Sequence, residues 1–398
     1  MSRVEALVTP EVMKWARESA GLTLDEAAKK IGRPQNEIVQ WESGELRPSI
    51  AQARKACEVY RRPLAVFYLP SPPEDFDTLR DFRRLPRGVV RTYSSMLLRM
   101  IRTAVEHQSW VRDFLLSEGM PALPFVGSET TDTPPEEVAV AIREALEVDL
   151  RSQQRAASRE AALSLWMTHA EKNGIFIFRH GLIELEECRG FTLADPIAPF
   201  VYLNSGDALA GLLFTLAHEL CHIWIQESGV SNSADSGDFA SSDDARIEVF
   251  CNAVASEVLL PSGAFNREWT NMPSEVDLKT RIRHVSNLFK VSEETVARKL
   301  LEQNELSQAG YRSLRHTYQK RWEEIQAMRR RRLRESPGGP SYYLTKVTNN
   351  GYAYTQTVIS AYRSGSVSGR DAAALLDAKI NHLDRLSDTA GIPASLRA

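Results

Sequence analysis

The run His218-Glu219-Leu220-Cys221-His222 constrains this chain most, because it lies inside a stretch that reads as a buried helix. From about Ala208 to Gln226, Leu212, Leu213, Leu216, Leu220 and Ile223 recur at helical spacing, so much of that helix's surface needs cover. Histidines four residues apart share one helix face, and both can reach a single Zn2+ at about 2.0–2.1 Å. Glu219 stands beside them. Zinc lowers the pKa of a water it binds, and a carboxylate can take the proton as that water attacks a carbonyl. The plainer reading of an isolated HExxH is a pair of surface histidines; the apolar helix around it argues otherwise.

Two histidines leave a catalytic zinc one protein ligand short. Glu248, 26 residues after His222 and early on the next helix (roughly Ala245 to Leu260, ending at Pro261), is the expected third ligand. Asn252 falls one turn later on the same face and can hold a ligating histidine through its second nitrogen. Short apolar runs at Ile175-Phe176-Ile177-Phe178 and Phe200-Val201-Tyr202-Leu203 place a small sheet ahead of the first helix. Tyr202 and His284 qualify by residue type as donors to a transition state, although packing explains each more simply. Cys221 and Cys251 could form a redox-sensitive pair; the plainer expectation is two small buried hydrophobes.

The length, 398 residues, predicts two or three domains. Residues 1–69 read as short helices, opened by Thr9-Pro10-Glu11 as cap, N1 proline and early acid. Pro70-Ser71-Pro72-Pro73-Glu74 breaks the pattern, and residues 70–159 form a helical connector, with Met96, Leu97, Met100, Ile101 and Val105 at helix spacing and Thr133-Pro134-Pro135-Glu136-Glu137 opening another helix. Residues 160–305 carry the sheet and the HExxH helix; Glu227 to Asp244 is a surface loop. After Arg329 to Arg332 and Ser336-Pro337-Gly338-Gly339-Pro340, residues 306–398 are expected to be a partly basic region forming a small α/β unit. The fold class is thus mainly α with a small β-sheet, α+β.

A second constellation lies between Leu22 and Pro48. Thr23 with Glu26 makes a capping box, Ala27 and Ala28 allow close packing, and Gly32 permits a tight turn into a helix over Gln35 to Glu42. Ile38 and Trp41 face the core, leaving Gln35, Asn36 and Gln40 outward, where amides can pair with adenine edges in a major groove. Residues 1–70 carry 11 basic and 9 acidic side chains, so charge alone also fits a protein-binding module. Seven arginines against Asp81 between Arg80 and Arg102 could extend a DNA-facing surface, but such a run, like Arg329 to Arg332, reads more simply as a solvated face.

Ile38-Val39-Gln40-Trp41-Glu42-Ser43-Gly44 with Arg47-Pro48 resembles the phage-repressor-like (XRE) helix-turn-helix family over about residues 9–69. The resemblance implies that Gln35, Asn36 and Gln40 read bases of a double-stranded DNA operator, that Lys30, Arg33 and Arg47 lie near phosphates, and that the chain acts as a homodimer. Phe214-Thr215-Leu216-Ala217 with the HExxH, then Glu248-Val249-Phe250-Cys251-Asn252-Ala253 and Leu259-Leu260-Pro261, resembles the ImmA/IrrE metallopeptidases over roughly 160–305. It implies a zincin-like domain in which His218, His222 and Glu248 hold one zinc in a thermolysin-like arrangement. Members cleave helix-turn-helix repressors in stress or phage responses, and a toxin-antitoxin type response is a further setting. Cys221 replaces a common glycine, and Val254 a usual aromatic residue.

The resulting expectation is a DNA-binding regulator with a zinc endopeptidase domain, Glu219 as general base, cutting a protein partner or its own accessible Pro70 to Glu74 segment. The rival is a non-proteolytic regulator whose peptidase-like domain senses a ligand or partner. Four scattered cysteines without a CxxC, no leader at Met1 to Glu5 and no apolar run of about 18 residues point to a cytoplasmic protein without a membrane span.

Overall fold

The computed structural model describes residues 5–60, 62–73, 80–81, 93–231, 243–273, 275–335 and 341–391. Glu74, residues 82–92 of the Arg80 to Arg102 stretch, most of the Glu227 to Asp244 loop and the Ser336 to Pro340 boundary lie outside them, as do the side chains of Arg329 to Arg332. Contacts divide the chain into two compact units: Met1–Leu79 with Leu85–Glu106, and Arg80–Arg84 with His107–Ala398. The architecture is mainly helical with one small mixed sheet.

In the first unit, helices α1 (Pro10–Ser19), α2 (Leu24–Ile31), α3 (Gln35–Ser43) and α4 (Ile50–Tyr60) close over Met13, Ala16, Ala27, Ile38, Trp41 and Tyr60. The α2 capping box forms: the Glu26 N–H donates to Thr23 Oγ1 at 3.2 Å and the Thr23 N–H to Glu26 Oε2 at 2.9 Å. Gly32 ends α2 with φ at 76°, a left-handed cap that a side chain would strain, and this sets the turn into α3. Buried Arg17 then fixes α3 against α1, pairing through Nε with Glu42 Oε1 at 2.7 Å and through Nη2 with Glu42 Oε2 at 2.9 Å. The start of α1 differs from the sequence expectation. Thr9 occupies the cap position, but its hydroxyl donates to the Leu69 carbonyl at 2.6 Å instead of capping the helix.

The second unit is built on a sheet of β1 (Arg80–Asp81), β2 (Phe176–His180), β3 (Gly190–Leu193), β4 (Phe200–Asn204) and β5 (Gly229–Ser231) in the order β1-β5-β3-β4-β2. β3 runs antiparallel to β4 and β5, whereas β2 pairs parallel with β4 and β1 with β5. All of β4 is buried, which explains why it reads as a continuous apolar run without alternation. Val201 and Leu203 join the core with Leu213, Leu216 and Leu220 of the HExxH helix, Leu209–Trp224. Phe200 and Phe178 meet Tyr354 at ring distances of 6.2 and 5.1 Å.

Tyr354 belongs to the C-terminal region. The described residues of that region do not form the small α/β unit expected from the sequence. They are helical, as Gln308–Glu335, Tyr342–Asn350, Tyr352–Arg363, Gly369–Leu375 and Leu383–Thr389 with one short 3-10 turn. Aromatic and β-branched residues around 342–359 lean toward strand by propensity, and packing against β2 overrides that lean. Glu171 receives the Ala353 N–H at 3.2 Å at the start of Tyr352–Arg363, and burial pushes its carboxyl up to about 7.

Candidate metal centre and nucleic-acid interface

Two helices meet to form the centre. The HExxH helix is buried from Thr215 through Trp224, so His218, Glu219 and His222 lie inside the protein. Asp243–Leu259 packs along it, between it and the helix Pro135–Ala145. The C-terminal end of Asp243–Leu259 is pinned by polar groups from elsewhere in the unit. Arg143 Nε donates to the Val258 carbonyl at 2.8 Å and Gln153 Nε2 to the Leu259 carbonyl at 2.9 Å, satisfying acceptors that a helix end leaves open.

With both helices fixed, His218, His222 and Glu248 offer one donor atom each, all within 4.8 Å of one another and all buried. His222 Nε2 lies 3.2 Å from His218 Nε2 and 3.2 Å from Glu248 Oε1, and His218 Nε2 lies 3.3 Å from the same oxygen. Across the ring, His218 Nδ1 is 3.1 Å from Asn252 Oδ1, an acceptor that keeps a proton on Nδ1 and leaves Nε2 for the centre. Burial by itself would lower the His218 pKa, yet the charge and hydrogen bond of Glu248 outweigh it and raise the imidazole to about 9. Burial likewise opposes ionisation of Glu248, but the two histidines hold its carboxyl down to about 2.

Glu219 is buried beside this cluster and is held from β3: Thr192 Oγ1 lies 2.7 Å from Glu219 Oε2 and 3.2 Å from the Glu219 carbonyl. Gly190, two residues earlier, lets strand and helix approach. A Cβ there would stand 2.7 Å from Glu219 Oε1, 2.7 Å from Thr215 Cγ2 and 3.0 Å from the Tyr202 carbonyl. Neither Thr192 nor Gly190 was marked by the sequence, where Gly-Phe-Thr-Leu is too short and irregular to announce a strand. The other candidates lie apart from the cluster. The Tyr202 hydroxyl donates to the His180 carbonyl at 2.9 Å with its ring stacked on Phe191, and His284 is exposed on Leu278–Phe289. Cys221 and Cys251 form no disulfide and are fully buried, as small core hydrophobes would be; burial and the adjacent Cys221 hold the Cys251 thiol well above its ordinary pKa.

On the first unit, Gln35 and Asn36 are exposed at the start of α3 and Gln40 is half-buried one turn later; Lys30, Arg33 and Arg47 are exposed around them. Glu37, an acid on the same helix, is engaged from two sides: Arg33 Nη1 lies 3.7 Å away and Gln52 Nε2 donates to it at 2.9 Å.

Family comparison agrees with both constellations. The peptidase M78 family, described as the IrrE N-terminal-like domain, matches residues 170–301, and a helix-turn-helix family matches residues 13–67. The chain joins a helix-turn-helix domain to an IrrE N-terminal-like domain. No curated protein and no solved structure matches it. The helix-turn-helix makes the chain a DNA-binding regulator, and its IrrE N-terminal-like domain is metallopeptidase-like with a His/His/Glu cluster that can hold a metal ion. Among the described residues no helix is long and apolar enough to cross a membrane.

Proposed function

We propose that the IrrE N-terminal-like domain is a zinc-dependent endopeptidase that cuts a regulatory protein, or this chain itself, and so controls what the helix-turn-helix domain does at its operator. The observation that carries this reading is the spacing of the three donors. A four-coordinate ion with ligands at about 2.0–2.1 Å requires neighbouring donors roughly 3.3–3.4 Å apart, the edge of a tetrahedron of that radius. The observed separations are 3.2, 3.2 and 3.3 Å, among two imidazole nitrogens and one carboxylate oxygen, the donor set zinc favours. His218, His222 and Glu248 would hold the ion, with Asn252 orienting His218.

When bound, zinc supplies a Lewis acid that polarises an amide carbonyl and strengthens water as a nucleophile. The chain does the proton chemistry. Glu219 accepts a proton at Oε1 as water adds to the scissile carbon, then delivers it to the amide nitrogen as the C–N bond breaks, giving a carboxylic acid and an amine. Thr192 supports both states. Its hydroxyl donates to Oε2 while Glu219 is ionised and can turn to the Glu219 carbonyl once the carboxyl is protonated. Operator binding by a homodimer follows from the pairing of half-sites with a two-fold protein, and a stress, phage or toxin-antitoxin response is the fitting setting.

Glu219→Gln tests the reading. New amino termini in a cell lysate incubated with the zinc-loaded chain should appear with the wild type and vanish with the variant, whose zinc content stays at one equivalent. If both proteins bind zinc and neither generates new termini, the domain acts as a sensor of a ligand or partner.

A further inference from the structure

The outer face of α3 holds one side chain with no polar chemistry. Helical residues advance about 100° each. Gln35, Asn36, Val39, Gln40 and Ser43 therefore fan over one side, with buried Ile38 and Trp41 on the opposite side. Val39 lies inside that fan, and 44% of it is exposed. It is not one of the core residues of the unit, and a β-branched residue is a mediocre helix former, so helix propensity does not account for it.

In a major groove the apolar feature open to a side chain is the thymine 5-methyl group, whereas the neighbouring amides of Gln35 and Asn36 suit adenine N6 and N7. We infer that Val39 is a specificity-determining residue that packs on a thymine methyl, so that α3 selects A·T pairs through a methyl contact flanked by amide contacts. The inference rests on α3 being the groove-reading helix of the helix-turn-helix domain. It adds a position and a base to that reading.

The test uses the full chain. Binding sites are first selected from random DNA duplexes; each thymine of the selected half-site is then replaced by deoxyuridine, which removes one methyl and leaves every hydrogen-bonding edge intact. For the wild type, one replacement should weaken binding about fourfold, the worth of one methyl withdrawn from water. For Val39→Ala, which keeps the helix and the exposed site, that same replacement should change nothing. Val39→Thr, which keeps one γ-methyl at the reach that Val39→Ala loses, should keep part of the sensitivity. Equal sensitivity in wild type and Val39→Ala, or none at any thymine, overturns the inference while leaving DNA binding in place. Failure to enrich any sequence overturns the DNA-reading role of α3 as well.

Discussion

Zinc binding to this protein should release about one proton at neutral pH, and its affinity should climb steeply with pH. Without metal, His218 carries a proton on Nε2 facing Glu248, because the ion pair lifts its pKa from 6.5 to about 9. Glu248 is already ionised, being held down to about 2, and releases nothing. The other ring proton stays on Nδ1, donated to Asn252 Oδ1, so the proton displaced by the metal comes from Nε2. At pH 7 the apparent affinity is then about 100-fold weaker than at a pH well above 9, and it strengthens about tenfold per pH unit between 7 and 8.5.

The metal-free protein should show the opposite trend. His218 binds its proton more tightly folded than unfolded, so its contribution is full below pH 6.5 and is lost as pH rises through about 9. The Glu248 contribution is present above pH 4.5 and lost as pH falls through about 2. Both describe one buried pair and count once, at roughly 3 kcal/mol. Calorimetric titration with zinc in buffers of different ionisation enthalpy counts the protons, and melting curves with and without chelator give the stability. No proton released at pH 7, together with a flat affinity from pH 7 to 8.5, would refute the ion-pair account of the metal-free protein.

Two further substitutions address how the centre is held. Asn252→Ala should weaken zinc binding by about 10- to 100-fold, because the His218 ring loses the acceptor that fixes its orientation and tautomer; competition with a chromophoric chelator measures it, and an unchanged affinity would mean that packing alone orients the ring. Gly190→Ala should cost about 1–3 kcal/mol in denaturant unfolding, since the new methyl overlaps Glu219 and Thr215 and must push β3 off the HExxH helix. Stability equal to wild type would show that the strand can yield.

The two chemical motifs were legible in the sequence for a local reason. Residues four apart on a helix share a face whatever the rest of the chain does, so the pairing of His218 with His222 follows from the backbone alone. The same locality explains why the Thr23 capping box and the Gly32 turn were readable, and why the identity of α3, with Ile38 and Trp41 turned inward, could be anticipated. Thr9 shows the limit of that locality. A threonine before a proline reads as a cap, but the Thr9 hydroxyl donates to the carbonyl of Leu69, 60 residues away, and accepts nothing from the first N–H groups of the helix.

What joins distant segments was decided by tertiary structure. Glu248 could be nominated from its place on a later helix, but its approach to two imidazoles depends on how two helices pack and on Arg143 and Gln153 gripping the end of one of them. Thr192 and Gly190 left no trace in the sequence because their significance is a contact between a four-residue strand and the helix beside it. The C-terminal region adopted helices against its own strand propensity because burial of Tyr354 on Phe178 and Phe200 outweighs a preference worth tenths of a kcal/mol per residue. Sequence alone nominated the side chains of the proposed centre, through local periodicity; the fold alone determined which of them meet, because separations of three ångströms across long stretches of chain are set by packing.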